Sequence, residues 1–346
     1  MTMRPVRSLT LICLAFILAF FINCKTESQE TPEKVYRTTG SIERLDPGLD
    51  SIIAPGIIPE ILAEGFEWSE GPVWVESHQM LLFSDIPVNS IFKWTEADSI
   101  SLYLHPAGYT GDEQRGGESG SNGLVLDPEG HLVICQHGDR RIARMAAPLD
   151  SPEPEFQTLA EQFEGMRLNS PNDAVYHSIG DLYFTDPPYG LEGNVDDPEK
   201  DTPYQGVYRL HPDGTLDLLV DSITRPNGIT FSPDEKTLYV ANSDPNLAIW
   251  MAYDVIEDGT LANGRVLYDA TGRVGKEKGL PDGLKVSQEG YIFATGPGGV
   301  WIFDPSGKPL GRILTGQATA NCAFNADESV LYITADMFLL RVRLGA

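Results

Sequence analysis

Six short segments of the sequence each begin with a side chain that carries an oxygen atom and continue into an apolar run typical of a β-strand. The six leading residues are Glu70, Asn122, Asn172, Asn227, Asp282 and Asn321. None of them is Lys, Arg, His or Cys. The two carboxylates, Glu70 and Asp282, would therefore repel each other if the six side chains converged without a cation. Oxygen-only ligation selects a hard divalent ion, and neutral amide ligands favour Ca²⁺ over Mg²⁺. The pattern therefore predicts a calcium site, with other divalent ions as alternatives, in which Glu70 and Asp282 balance the charge of the ion.

A different interpretation treats each segment as a turn. Asn-Gly and Asp-Gly pairs are common turn formers, and any one copy taken alone is more typical of a turn than of a metal ligand. Turn chemistry does not require Glu70-Gly71-Pro72, however, and six aligned copies are hard to explain by turns alone. We therefore favour the metal site.

The spacing of the six segments indicates the elements that position these residues. Successive leading residues lie 39 to 55 residues apart, which is room for four strands and their turns, the content of one propeller blade. The second strand of each copy is an apolar run such as Leu238-Tyr239-Val240-Ala241, as expected for a strand covered on both faces. No stretch has a convincing helical period. The sequence thus predicts an all-β, six-bladed β-propeller.

The two ends of the chain must meet to close such a ring. Only 25 residues follow Asn321, enough for three strands, so the outer strand of the last blade must come from elsewhere. Residues 59–63, just before the first repeat, are free to supply it. This arrangement places Cys135 in blade two and Cys322 in blade six with blade one between them, so we expect two free thiols.

The N-terminus has the features of an export signal. Arg4 and Arg7 precede an apolar stretch over residues 9–22, too short to span a bilayer, and Cys24 follows. The stretch resembles a bacterial lipoprotein signal, which predicts a signal peptide over residues 1–23, lipidation at Cys24, a tether and lead-in over 24–57, and the propeller over 58–346. A plain secretory signal or an uncleaved anchor helix are the alternatives. Either way the protein is expected in the periplasm or cell envelope.

The charge balance narrows the choice of partners. The chain has 25 Lys and Arg against 50 Asp and Glu, a net charge of -25, which excludes nucleic acid because phosphate binding needs clustered cations. We expect a monomer that contacts the membrane only through its lipid anchor.

The motifs in their order resemble the SMP-30, gluconolactonase and luciferin-regenerating enzyme family, in its bacterial gluconolactonase-like branch. They are Glu70-Gly71-Pro72-Val73-Trp74, Ser121-Asn122-Gly123-Leu124, Asn169-Ser170-Pro171-Asn172-Asp173, Phe184-Thr185-Asp186-Pro187-Pro188-Tyr189-Gly190, Arg225-Pro226-Asn227-Gly228, Leu280-Pro281-Asp282-Gly283 and Thr319-Ala320-Asn321-Cys322-Ala323-Phe324. The resemblance covers residues 58–346 and implies a calcium-dependent hydrolase. By it, the metal ligands are Glu70, Asn172, Asn227 and Asp282, and Asp282 is also the catalytic acid or base.

In such an enzyme calcium polarises the lactone carbonyl while water attacks, and Asn122 and Asn172 donate amide hydrogens to the substrate. A carboxylate bound to Ca²⁺ is a weak base, so Asp186 or Asp244, each at the end of a second strand, are candidates to share the proton transfer. Both are at least as well explained as turn residues. For His137 a structural role is favoured over catalysis.

Three functions remain compatible with this pattern. The first is a calcium-dependent lactonase acting on sugar lactones, and the second is an esterase or organophosphate hydrolase using the same site. The third is a non-enzymatic envelope propeller that binds a partner, with calcium as a structural plug. The loops over residues 108–120 and 189–204 are long enough to shape the rim of a pocket and so to choose among substrates.

Overall fold

Six antiparallel sheets of four or five strands make up the fold, together with one two-stranded hairpin. The computed structural model describes residues 1–2, 34–113 and 115–345, so the predicted signal and Cys24 lie outside the described residues. Helices in the described part of the chain are short 3₁₀ turns at Pro47–Ser51, Glu76–His78, Asn194–Asp196 and Thr271–Arg273. None of the described helices is long and apolar enough to cross a bilayer.

The sheets follow one another along the chain as blades. Blade one comprises Ser69–Val75, Met80–Asp85, Ser90–Thr95 and Ser99–Leu104. Blade two comprises Ser121–Leu126, Leu132–Gln136, Arg141–Met145 and Phe156–Ala160. Blade three comprises Ala174–Tyr176, Leu182–Asp186, Gly206–Leu210 and Leu216–Val220. Blade four comprises Pro226–Phe231, Thr237–Asp244, Leu247–Val255 and Leu261–Asp269.

The last two blades also contain strands from the N-terminal part of the chain. Blade five comprises Leu284–Val286, Ile292–Gly296, Gly299–Phe303, Pro309–Leu314 and Ser41–Arg44. Blade six comprises Asn321–Phe324, Val330–Ala335, Phe338–Arg343, Glu60–Glu64 and Arg37–Thr38. The separate hairpin, between blades two and three in the chain, pairs Gln162–Phe163 with Met166–Arg167.

The first strands of the blades form the inner ring. Each lies against the first strand of the next blade, and the first strand of blade six lies against that of blade one. The second strands are buried along their whole length in blades one, two, three and five, as the apolar runs predicted. The six-bladed all-β propeller predicted from the repeat is confirmed.

Closure of the ring also follows the prediction. Glu60–Glu64 pairs antiparallel with Phe338–Arg343 and supplies the fourth strand of blade six, one residue later than the predicted 59–63. Ion pairs fix this junction, because Arg341 contacts Glu60 at 2.7 Å and Glu96 of blade one at 2.8 Å. Strands from both ends of the chain therefore latch the ring.

The folded unit begins earlier than the predicted boundary at residue 58. The compact unit starts at Tyr36, and Ser41–Arg44 pairs with Pro309–Leu314 as a fifth strand of blade five. The predicted tether over 24–57 is therefore folded from Tyr36 onward. These added strands are two and four residues long and mostly exposed, so they carry no apolar period that sequence analysis recognises.

Apolar side chains fill the spaces within and between blades. Trp94, Trp250 and Trp301 are almost fully buried, and Trp250 and Trp301 share one core cluster of blades four and five. Cys135 and Cys322 are both buried free thiols, as expected from their blades. Burial raises the pKa of Cys322 to about 12, which keeps this thiol protonated and inert.

Candidate functional site

A cavity of about 460 Å³ opens at the inner ring and collects most of the predicted site residues. Its lining includes Glu70, Asn122, Asn172, Asn227 and Asp282. The sixth leading residue, Asn321, is not part of the lining. Its Oδ1 accepts a hydrogen bond from the Cys322 N–H at 2.9 Å, and its side chain hydrogen-bonds to Glu70. Asn321 therefore supports the site from outside the cavity.

Irregularities in the inner strands present these side chains. The pairing register of the first strand shifts between Glu70 and Val73, and equivalent shifts follow Ser121 and Pro226. Such bulges re-aim a side chain that a regular strand would point away from one face of the sheet. At the first bulge Gly71 has φ +51°, and its N–H donates to Glu70 Oε2 at 2.6 Å.

The glycines after the leading residues serve close packing between blades. A Cβ on Gly123 would lie 2.6 Å from the carbonyl oxygen of Asn172, and one on Gly228 would lie 2.3 Å from that of Asp282. The Gly123 N–H also donates to the Asn172 carbonyl oxygen at 2.7 Å. These Asn-Gly pairs therefore bring neighbouring inner strands together, so the turn interpretation does not describe them.

Hydroxyl side chains of the second strands form a further set of links that sequence reasoning missed. Ser84 donates to the carbonyl oxygen of Asn122 at 2.8 Å, and Thr185 donates to that of Asn227 at 2.7 Å. Thr295 makes the equivalent bond to the Ala320 carbonyl oxygen at 2.8 Å. Each bond runs from one blade to the leading residue of the next, or to its neighbour in the chain. The recurring Ser or Thr near the end of the second strand was the available signal.

The two carboxyl groups of the cavity lie in an unfavourable environment without a cation. Burial is the main reason that the pKa of Glu70 is raised to about 8, and repulsion from Asp173 adds to it. The pKa of Asp282 is raised well above its ordinary value, again mainly by burial and then by the charge of Glu70. Neither carboxyl has a Lys or Arg ion-pair partner within the described chain. The pair is thus arranged to bind a positive charge.

Unpartnered oxygen atoms indicate where a cation fits. Asp282 Oδ1 and Asn122 Oδ1 are buried and have no hydrogen-bond donor among the described residues. Asn227 donates its amide to Ser243 Oγ at 3.0 Å, which orients that amide in the cavity. Buried oxygens without donors are costly unless an ion or a water satisfies them. The donor set of carboxylate and amide oxygens fits a hard divalent ion such as Ca²⁺.

A second acidic group lies outside the inner ring. Asp127, Glu129 and His131 offer ligand atoms within 4.8 Å of one another. Donors already occupy Asp127, because its Oδ1 accepts from the His131 N–H at 2.8 Å and its Oδ2 lies 3.3 Å from Arg144. This cluster therefore stabilises a turn and has less need of a metal ion than the cavity.

The two candidates for sharing proton transfer lie outside the cavity lining. Asp186 is fully buried and accepts from the N–H groups of Asn169 and Ser170, both at 2.8 Å, while burial raises its pKa to about 7. Asp244 accepts from Thr224 at 2.7 Å, a bond that lowers its pKa. Asp186 thus anchors the segment that leads to Asn172. The turn interpretation describes both carboxylates better than the proton-transfer one.

Three further lining residues escaped the sequence analysis. Glu118 comes from the predicted rim loop 108–120, and Tyr189 comes from the rim loop 189–204. The two loops touch, because the Glu118 N–H donates to the Tyr189 carbonyl oxygen at 3.2 Å. Trp68, just before blade one, adds an apolar wall. The loops were predictable as a rim, but no local pattern distinguished these side chains from their neighbours.

Comparison with known proteins finds a matching family and related chains. The family model for the SMP-30/Gluconolactonase/LRE-like region matches residues 68–336. A gluconolactonase from Zymomonas mobilis is 40% identical over 320 residues, which cover 88% of this chain and 86% of that protein.

Solved structures give the same relationship. A gluconolactonase from Xanthomonas campestris matches with a TM-score of 0.76 and 30% identity over 91% of this chain and 99% of that chain. A calcium-binding protein, regucalcin from Agrobacterium tumefaciens, matches with a TM-score of 0.62 over 83% of this chain and 94% of that chain. At 18% identity the second match concerns the fold alone.

Proposed function

This chain belongs to the SMP-30/gluconolactonase/LRE-like family, and we propose that it is a gluconolactonase-like hydrolase that opens sugar lactones with the help of a calcium ion. The observation that carries this proposal is the convergence of Glu70, Asn122, Asn172, Asn227 and Asp282 in one cavity. Buried oxygens without donors, at Asp282 and Asn122, support cation binding there. The 40% identity to a gluconolactonase supports the substrate class.

Each cavity residue has a role in this proposal. Glu70, Asn172, Asn227 and Asp282 would hold the ion, and their carboxylates would balance its charge. When bound, calcium supplies Lewis-acid polarisation of the lactone carbonyl and stabilises the negative charge that develops on its oxygen. The amides of Asn122 and Asn172 line the cavity, where they would donate hydrogen bonds to the substrate, and Trp68 and Leu280 add apolar surface to its wall.

Hydrolysis of glucono-1,5-lactone tests the proposal. We expect a chelator to abolish activity and added Ca²⁺ to restore it. None of the described residues that line the cavity is Lys, Arg or His, so no side chain there can replace the charge of the ion. Asp282→Ala should lower kcat/KM by about 100-fold or more, the usual cost of losing one group that stabilises the transition state. Glu129→Gln, in the other acidic cluster, is the control and should keep both activity and calcium dependence.

Other outcomes would identify the alternative functions. Full activity in the presence of chelator, or in Asp282→Ala, would reject the site. Calcium binding with hydrolysis of aryl esters or organophosphates but not of lactones would indicate the second hydrolase class. Calcium binding without any hydrolysis would favour a propeller that binds a partner at the cell envelope.

Export and anchoring form a separate proposal. We propose that residues 1–23 direct secretion and that Cys24 carries lipid, supported by the basic, apolar and cysteine segments in their order. Metabolic labelling with a radioactive fatty acid should mark the wild-type protein and not Cys24→Ala. Equal labelling of the two proteins would reject the anchor without affecting the lactonase proposal.

A further inference from the structure

Glu118 is a cavity carboxylate that the proposed calcium site does not use. It comes from the rim loop 108–120, whereas the proposed ligands belong to the leading residues of the inner ring. Its Oε2 lies 3.2 Å from Nδ1 of His137, and the histidine side chain is fully buried. The Glu118 side chain keeps 43% of its surface exposed. Glu118 is thus a partly exposed carboxylate that lines the cavity and has a buried imidazole beside it.

Among the described acidic residues that line the cavity, Glu118 has no Lys or Arg partner and is not a proposed calcium ligand. Glu277, another lining carboxylate, pairs with Arg273 at 3.0 Å and with Arg312 at 2.7 Å. Glu70 and Asp282 together match a divalent ion. No Lys, Arg or His occurs among the described residues that line the cavity. With calcium bound, Glu118 therefore makes the cavity net negative where a substrate enters.

The lysines beside the cavity are directed to other partners. Lys276 and Lys278 flank Glu277 in the chain, but Lys276 Nζ donates to the Gly272 carbonyl oxygen at 2.7 Å. Lys278 Nζ donates to Gln317 Oε1, also at 2.7 Å. Neither ammonium group lines the cavity. An anionic group on a substrate would meet the Glu118 carboxylate and find no lining cation to offset it.

We propose that Glu118 determines substrate specificity: it accepts hydrogen bonds from the hydroxyl groups of an uncharged polyhydroxy lactone and excludes lactones that carry a phosphate or carboxylate. The inference rests on the proposed lactonase function and deepens it by naming the substrate class. A carboxylate accepts hydroxyl hydrogens strongly and repels a second anion at close range. His137 lies beside this carboxylate, with its Nδ1 3.2 Å from Oε2.

The test compares glucono-1,5-lactone with its 6-phosphate ester as substrates at saturating calcium. The wild type should prefer the uncharged lactone by about 100-fold or more in kcat/KM, since the Glu118 carboxylate repels a second anion at close range. Glu118→Gln keeps the shape of the side chain and should narrow this ratio by about tenfold, mainly by raising KM for the uncharged lactone and lowering it for the phosphate ester. Glu118→Asp should restore much of the preference.

Glu113→Gln is the matched control, because Glu113 is on the same loop but outside the cavity lining, and its ratio should equal that of the wild type. Calcium affinity, measured by calorimetric titration, should fall by less than about tenfold in Glu118→Gln, because the variant loses a charge that acts on Glu70 and Asp282 but keeps every proposed ligand. A loss of calcium binding, or an equal fall in kcat for both lactones, would make Glu118 a ligand or a proton carrier and overturn the inference. A wild type that hydrolyses both lactones equally overturns this inference alone, whereas one that hydrolyses neither overturns the proposed function and this inference with it.

Discussion

At the scale of single residues, Glu70 and Asp282 are buried carboxyl groups that the fold makes harder to ionise in the absence of a cation. Burial raises the pKa of both groups. Repulsion from Asp173 adds to this effect at Glu70, whose pKa reaches about 8, and repulsion from Glu70 adds to it at Asp282. A divalent ion reverses this situation, because it stabilises both ionised carboxylates at once. Proton release and cation binding at this site must therefore be linked.

This linkage predicts that calcium affinity increases with pH. Binding displaces a proton from Glu70 below its pKa of about 8, so the apparent Kd should fall by about tenfold per pH unit for each proton released and level off above that value. Calorimetric titration in two buffers of different ionisation enthalpy measures the protons released. An affinity that is constant between about pH 6 and pH 8 would contradict the raised pKa.

The stability of the metal-free protein should change in the opposite direction. A carboxyl whose pKa is raised in the folded state stabilises the fold fully below its ordinary pKa of 4.5, and this contribution is lost as the pH rises through about 8. The Tm without calcium, measured by calorimetry, should therefore decrease across this window. Saturating calcium should remove the decrease.

At the scale of elements, the inner strands approach so closely that side chains are excluded between them. Gly228 lies against the carbonyl of Asp282, and Gly123 lies against that of Asn172. These contacts place the backbone of one proposed ligand directly against the next blade. The geometry of the proposed metal site is thus tied to the packing of adjacent blades.

Gly228→Ala should consequently destabilise the fold and weaken the site. Its Cβ would lie 2.3 Å from the Asp282 carbonyl oxygen, so blades four and five must separate, at a cost of about 1–3 kcal/mol in the free energy of unfolding. Chemical denaturation and calcium titration measure the two effects. Gly272→Ala is the control, because no atom lies within 4 Å of its added Cβ, and the free energy of unfolding should change by less than about 0.5 kcal/mol. Equal stability of the two variants would refute the close-packing argument.

At the scale of the whole molecule, the N-terminal strands complete two blades. Glu60–Glu64 closes blade six, and Ser41–Arg44 adds an edge to blade five. Arg312 connects this edge to the cavity, because it contacts Glu43 at 2.5 Å and Glu277 at 2.7 Å. The N-terminal segment therefore supports both the ring and one wall of the site.

Truncations should separate these two contributions. A chain that begins at Lys34 keeps every strand of the described residues and should unfold cooperatively. A chain that begins at Asp46 loses only the edge strands and should unfold at a Tm several degrees lower, since about 1–2 kcal/mol corresponds to such a shift in a protein of this size. A chain that begins at Phe66 leaves the edge of Phe338–Arg343 unpaired and should not unfold cooperatively. Calorimetry distinguishes the three, and a cooperative transition in the shortest chain would contradict closure by Glu60–Glu64.

The repeat allowed much of this molecule to be predicted. Blade number, the inner ring and the closing strand follow from local patterns, because a strand covered on both faces is apolar and each blade repeats the same order of strand, turn and strand. The convergence of Glu70, Asn122, Asn172, Asn227 and Asp282 follows from their common place in that repeat.

The remaining features were decided only by tertiary structure. Whether Asp186 faces the cavity or a neighbouring loop depends on hydrogen bonds to Asn169 and Ser170, which no spacing reveals. The edge strand Ser41–Arg44 is short and polar, and it exists because blade five offers it an unpaired edge. Glu118 becomes a cavity residue because two distant loops meet at Tyr189. Local sequence determines which strands form, whereas contacts between residues far apart in the chain decide which side chains reach the substrate.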